Sequence, residues 1–201
     1  MKALDQLARQ RILPVLRCAD AGDALATARA AARAGCSVVE LTLSTPGVQE
    51  AIAPLVADGL TVAVGTVRDV EDVGRVAAAG ASLVISFWSP LGFVAAADAA
   101  GIPAIPGGFT PAELAAAAED GAAAVKLFPA SLAEPAYLRA LKPLLSELKL
   151  LVTGGIEPDG VRPWLDAGAL AVGLGSKLGT AATVGADEVE RRCRAALAAA
   201  A

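Results

Sequence analysis

Lys126 lies in the run GAAAVKLFP, and of the five lysines it alone has apolar residues on both sides for several positions. Strand alternation through this run turns its side chain inward, where a buried ammonium is costly and the usual outcome is a lowered pKa. A lysine amine that is neutral near pH 7 attacks a ketone and forms an imine. Glu40, in SVVELTLSTP, sits in an equally apolar run where an unpaired carboxylate would be disfavoured. Beside the amine it could shuttle protons through carbinolamine formation, dehydration and C–C cleavage. A plain buried ion pair between Lys126 and Glu40 would use the same residues, so the pairing alone leaves both readings open.

Two glycine-rich segments point to an anion. One reads Thr153-Gly154-Gly155-Ile156 and the other Gly173-Leu174-Gly175-Ser176. Glycines let backbone N–H groups approach an anion, and a helix N-terminus adds its dipole. Close packing is the other use for such glycines. Arg17, in LPVLR, could grip a carboxylate in bidentate fashion, with Thr66 of VAVGTV beside it. Either could equally be an ordinary surface or capping residue. Gly107-Gly108 would give room for substrate or form a tight turn.

These residues need a frame. Short β-rich apolar runs recur at 12–17, 37–43, 60–65, 82–86, 102–107, 123–128, 148–154 and 169–175, which makes eight. Between them lie Ala-rich stretches of helical period such as 23–35, 70–80 and 111–121, ending at Gly35, Gly80, Gly101, Gly121 and Gly168. Thr45-Pro46, Thr110-Pro111 and Glu157-Pro158 read as helix starts. Eight strand–helix units, apolar along each strand, favour a (β/α)8 barrel over an open doubly wound sheet. The whole chain, residues 1–201, reads as one such α/β domain with a short amphipathic helix at its N-terminus. In a barrel of this kind chemistry sits at the C-terminal strand ends, where the polar residues are Arg17, Glu40, Thr42, Ser44, Thr66, Ser86, Lys126, Thr153 and Ser176.

Composition removes several classes of function. Histidine is absent, which takes away the commonest general base and metal ligand and excludes a Ser-His-Asp or Cys-His mechanism. Cys18, Cys36 and Cys193 have no metal-like spacing and are odd in number, as in a reduced cytoplasmic protein; no metal site is expected. A net charge of −4 argues against a nucleic-acid surface. The cluster Arg191, Arg192 and Arg194 reads as helix solvation. No apolar run approaches the ~20 residues of a membrane span, and the charged N-terminus lacks the apolar core of a signal peptide.

Taken in order, PVLR (14–17), VVELTL (38–43), VGTV (64–67), PGGFTPAEL (106–114), VKLFPAS (125–131), TGGI (153–156) and DAGALAVGLGS (166–176) resemble the 2-keto-3-deoxy-6-phosphogluconate (KDPG) and 4-hydroxy-2-oxoglutarate (KHG) aldolases, a family that includes 2-keto-3-deoxy-6-phosphogalactonate aldolases. The resemblance implies a class I aldolase that reversibly cleaves a 2-keto-4-hydroxy acid to pyruvate and an aldehyde. It implies Lys126 as the Schiff-base lysine and Glu40 as the acid/base. Arg17 and Thr66 would contact pyruvate, and Phe128 would pack near the imine. Gly154, Gly155, Gly175 and Ser176 would line the distal, phosphate-binding end, and Thr153, at its strand end, is a further candidate for binding substrate. It further implies a homotrimer without cofactor or metal, acting on small molecules.

The chain departs from this pattern twice. KDPG enzymes often carry Arg after ELTL, where this chain has Ser44, so preference for a phosphorylated aldehyde should be weaker. The fourth strand ends in Ser86-Phe87-Trp88-Ser89-Pro90 where relatives read Ser-Pro, and the two aromatics could narrow the pocket or belong to a subunit interface. A phosphate-binding barrel isomerase or synthase without an imine is the competing enzyme, and a barrel that only binds small molecules is the non-enzymatic alternative.

Overall fold

A computed structural model describes residues 2–201. Its chain alternates strand and helix from end to end: α1 (Lys2–Gln10), β1 (Ile12–Leu16), α2 (Ala21–Arg33), β2 (Val38–Thr42), α3 (Gln49–Ala57), β3 (Thr61–Gly65), α4 (Glu71–Ala78), β4 (Leu83–Ile85), α5 (Phe93–Ala99), β5 (Ala104–Ile105), β6 (Gly107–Gly108), α6 (Pro111–Glu119), β7 (Val125–Leu127), α7 (Pro135–Leu141), β8 (Leu150–Thr153), α8 (Arg162–Asp166), β9 (Ala171–Leu174), α9 (Ala181–Val184) and α10 (Ala186–Ala200). All pairings are parallel, in the order β5-β4-β3-β2-β1-β9-β8-β7-β6. The two outermost members, β5 and β6, are halves of one strand interrupted by Pro106. Proline has no N–H to give a ladder, yet the strand bonds on both sides. Ser86 N–H donates to the Ile105 carbonyl (3.0 Å) and Lys126 N–H to that of Pro106 (2.8 Å). The sheet therefore closes into a barrel through a fifth strand in two pieces. Gly107 and Gly108 belong to this strand, which corrects their reading as a turn.

Period-two alternation along parallel strands divides the barrel in two layers. Leu13, Val38, Ala63, Leu83, Ile105, Ala124, Leu151 and Ala171 pack together inside, closed from below by Ala3, Leu4 and Leu7 of α1. Two residues further along each strand, the same inward face presents Val15, Glu40, Gly65, Ile85, Gly107, Lys126, Thr153 and Gly173. The lower layer is an apolar floor, and the upper layer carries the chemistry. Outward residues such as Val39, Leu41, Val62, Val64, Leu127 and Val152 form a second core beneath the helices.

Gly35, Gly80, Gly101, Gly121 and Gly168 all follow helices with φ between 72° and 109°, the left-handed conformation that stops a helix. Thr110 caps α6 with a reciprocal box to Glu113, and Pro111 takes the first turn. The other two expected starts are displaced. α3 begins at Gln49 after a turn containing Pro46, and α8 at Arg162, with Pro163 rather than Pro158 in its first turn. All three cysteines are buried thiols, and burial, reinforced by Asp23, pushes Cys18 up to about 12. Arg191, Arg192 and Arg194 pair with Glu188 or Glu190 along α10. Among the described residues no helix is long and apolar enough to cross a membrane.

Candidate active site

A cleft of about 610 Å³ opens at the C-terminal ends of the strands. Its lining contains Arg17, Glu40, Thr66, Lys126, Phe128, Thr153, Gly154, Gly155, Gly175 and Ser176, the residues expected to react with or bind substrate, whereas Thr42, Ser44 and Ser86 at other strand ends are not part of it. It also contains Val15, Phe87, Gly179, Thr180 and Thr183.

Lys126 is centred on β7 and only 5% exposed; Glu40, across the barrel on β2, is fully buried. Lys126 Nζ lies 3.8 Å from Glu40 Oε1, an ion-pair distance too long for a hydrogen bond. Among the described residues neither Glu40 oxygen has a hydrogen-bond partner. Burial pushes the Glu40 carboxyl above its ordinary value, and the nearby Lys126 and Arg17 charges pull it back only in part. Both groups are held in an apolar sleeve and left free toward the cleft.

Glycines make the space. A Cβ on Gly65, the neighbour of Glu40 across β3, would overlap the Glu40 carboxyl, and one on Gly173 would overlap the Thr153 hydroxyl. Thr153 is 5% exposed and its Oγ1 has no partner among the described residues. Gly65 was not named in the sequence reading, and Gly173 was named only within a segment expected to bind an anion. Their signal was a bare position within a short apolar strand.

On the β1–β3 side, the Arg17 guanidinium donates to Ser44 Oγ and, at 3.4 Å, to Thr66 Oγ1. Ser44 in turn donates to Thr42 Oγ1 (3.3 Å). Thr66 has φ of 60°, rare for a β-branched residue, and this points it into the cleft directly after Gly65. The opposite wall is polar backbone. Among the described residues, the N–H groups of Gly154, Gly155, Gly175 and Ser176 donate to no protein acceptor. The short helix α9 bounds this wall, but its own first N–H groups are taken: Ala181 N–H donates to Thr27 Oγ1 and Ala182 N–H to Asp23 Oδ1, both at 2.8 Å.

The third wall is aromatic. The Phe128 ring centroid lies 5.7 Å from Lys126 Nζ, and Phe87 meets Phe128 edge-on at 6.4 Å. Phe87 lines the cleft, and Trp88, stacked on it at 6.4 Å, is 49% exposed.

The chain is 33% identical over 171 residues to the 2-dehydro-3-deoxy-6-phosphogalactonate aldolase of Escherichia coli (strain K12), covering 83% of each protein. It is 34% identical over 165 residues to the 2-dehydro-3-deoxy-phosphogluconate aldolase of Treponema pallidum (strain Nichols), covering 80% of this chain and 78% of that one. The crystal structure of the KDPG aldolase from Legionella pneumophila, with pyruvate captured at low pH as a covalent carbinolamine intermediate, superposes with a TM-score of 0.87 at 27% identity over 98% of both chains. The family model for KDPG and KHG aldolases matches residues 4–194, and the chain belongs to that family.

Proposed function

We propose that the protein is a Schiff-base (class I) aldolase, an aldehyde-lyase that reversibly cleaves a 2-keto-3-deoxy-6-phospho sugar acid or 4-hydroxy-2-oxoglutarate to pyruvate and an aldehyde. The observation that carries this is the Lys126–Glu40 pair, sealed on all sides except the cleft. The aldolase names of its relatives and the covalent pyruvate of the Legionella enzyme support the same reading.

The substrate carboxylate lies against Arg17 and Thr66, which fixes C2 over Lys126. The Nζ lone pair adds to the C2 carbonyl, and Glu40 relays protons as the carbinolamine loses water. In the resulting iminium, Glu40 takes the proton of the C4 hydroxyl, the C3–C4 bond breaks and its electrons pass into the iminium to give an enamine. The aldehyde leaves, C3 is protonated, and water hydrolyses the imine to release pyruvate. The iminium itself is the electron sink, so this chemistry calls for neither metal nor cofactor. Gly154, Gly155, Gly175 and Ser176 hold the distal anion through N–H groups, Thr153 offers its free hydroxyl to the substrate chain, and Phe128 keeps water from the imine.

The enzyme works as a homotrimer in the cytoplasm on this reading. Exposed Trp88, Leu91 and Leu132, on the loops that frame the cleft, support a subunit contact. The activity is tested by coupling to lactate dehydrogenase. Pyruvate should appear from both the phosphorylated sugar acid and 4-hydroxy-2-oxoglutarate; release from neither contradicts the proposal.

A further inference from the structure

Phe87 is held tightly against the strand segment that pairs with Lys126. Gly107, which pairs in register with Lys126, donates its N–H to the Trp88 carbonyl at 2.8 Å. A Cβ on Gly107 would stand 2.6 Å from the Phe87 carbonyl oxygen and 2.8 Å from Trp88 N, so only glycine lets this segment press against the strand. The Phe87 ring therefore reaches the cleft beside Phe128, whose ring lies over the Lys126 side chain. Strand β4, which delivers Phe87, is four barrel strands away from β9 in either direction, directly opposite the loop of Gly175 and Ser176. The cleft thus has Phe87 at one end and the free N–H groups of Gly175 and Ser176 at the other, with Phe128 between them against Gly154. Phe87 is 37% exposed, so part of its ring is unburied and open to a ligand.

Resting on the aldolase reading, we infer that Phe87 and Phe128 form a second acceptor subsite for aryl groups, so that the enzyme also cleaves 4-aryl-4-hydroxy-2-oxo acids. The ring of such a substrate stacks on Phe87 while its carboxylate keeps the Arg17 and Thr66 contacts. Offset or edge-on aromatic contacts and apolar burial supply the binding that a distal anion would otherwise obtain from the opposite wall. The reaction balances without an added reagent. The C4 hydroxyl loses its proton to Glu40, the C3–C4 bond breaks, an aryl aldehyde leaves, and hydrolysis of the protonated enamine returns pyruvate and the Lys126 amine.

The test compares 4-hydroxy-2-oxo-4-phenylbutanoate with 4-hydroxy-2-oxoglutarate by pyruvate release. Wild type should cleave the phenyl substrate with kcat/KM within about tenfold of the other. Phe87→Ala should lower the phenyl-to-carboxylate ratio of kcat/KM by roughly tenfold or more, chiefly through KM, and Phe87→Tyr should restore it. Phe87→Leu, which keeps apolar bulk without a ring, should fall between them and serves if the alanine variant fails to fold. A wild type inert toward the phenyl substrate, or a ratio unmoved by Phe87→Ala and Phe87→Leu, overturns the inference. So does loss of assembly in Phe87→Ala with the ratio unchanged, which would make the ring a subunit contact. Borohydride trapping of pyruvate on the wild type separates the two claims: trapping without aryl discrimination sinks only the subsite, and no trapping sinks the aldolase reading itself.

Discussion

Glu40 is raised by burial above an ordinary carboxyl, and among the described residues neither of its oxygens has a hydrogen-bond partner. If it works as the base, kcat/KM rises with pH as Glu40 loses its proton, and that limb lies above the usual 4.5. Glu40→Gln should remove the limb and lower the rate by about 10²–10⁴-fold; a fall under about threefold would make Glu40 structural. Gly65→Ala probes the same carboxyl from behind. Gly65 does not have a left-handed φ, so alanine suits the backbone, but its Cβ displaces Glu40. We expect a loss of about 10²-fold in kcat/KM, since a displacement near 1 Å is worth that much; near wild-type activity would contradict the geometry. Lys126 and Glu40 were legible in the sequence because charge inside an apolar strand is conspicuous. The role of Ser44 was not. It reads as a missing Arg, whereas its hydroxyl receives the Arg17 guanidinium from the neighbouring strand. An Arg placed at 44 would remove this acceptor and set a second cation beside Arg17.

At the scale of elements, periodicity located the eight strands, and their polar C-terminal ends pointed to the cleft, because both depend on local pattern. Pro106 breaking the fifth strand was not readable, since its neighbours on both sides supply the hydrogen bonds that keep the strand in the barrel. Nor was the role of α9. Its wall of Gly179, Thr180 and Thr183 is set by Asp23 and Thr27, more than 150 residues earlier. Burial tends to raise the Asp23 carboxyl, but the N–H groups of Ala182 and Ala19 and the Thr180 and Thr27 hydroxyls outweigh it and hold it below 3.8. A depressed folded value gives stability that is present above the unfolded value and lost as pH falls through the folded one. Asp23→Asn should therefore destabilise the protein at pH 7 by about 1.5 kcal/mol, the low end for a charged hydrogen bond because Asp23 is partly exposed. In urea titrations the gap to wild type should shrink as pH drops below 3.8. A pH-independent gap would mean the carboxylate charge is irrelevant to α9.

The whole molecule places a reactive pair on an apolar floor and three unlike walls around it: guanidinium and hydroxyls, free N–H groups, and aromatic rings. Assembly belongs at this scale. Sedimentation should give three times the 19.9 kDa chain mass, and a monomer at micromolar concentration would contradict the trimer. The central claim is that Lys126 carries the substrate as an imine, and trapping tests it most directly. Pyruvate and borohydride should add one reduced pyruvate unit per chain, mapped by peptide mass spectrometry to Lys126. Lys126→Ala lacks the nucleophilic amine and should gain none; because it also takes from Glu40 its ion-pair partner, circular dichroism checks that the variant is folded. An adduct on another residue, an adduct that survives in Lys126→Ala, or no adduct on an active wild type would contradict the account.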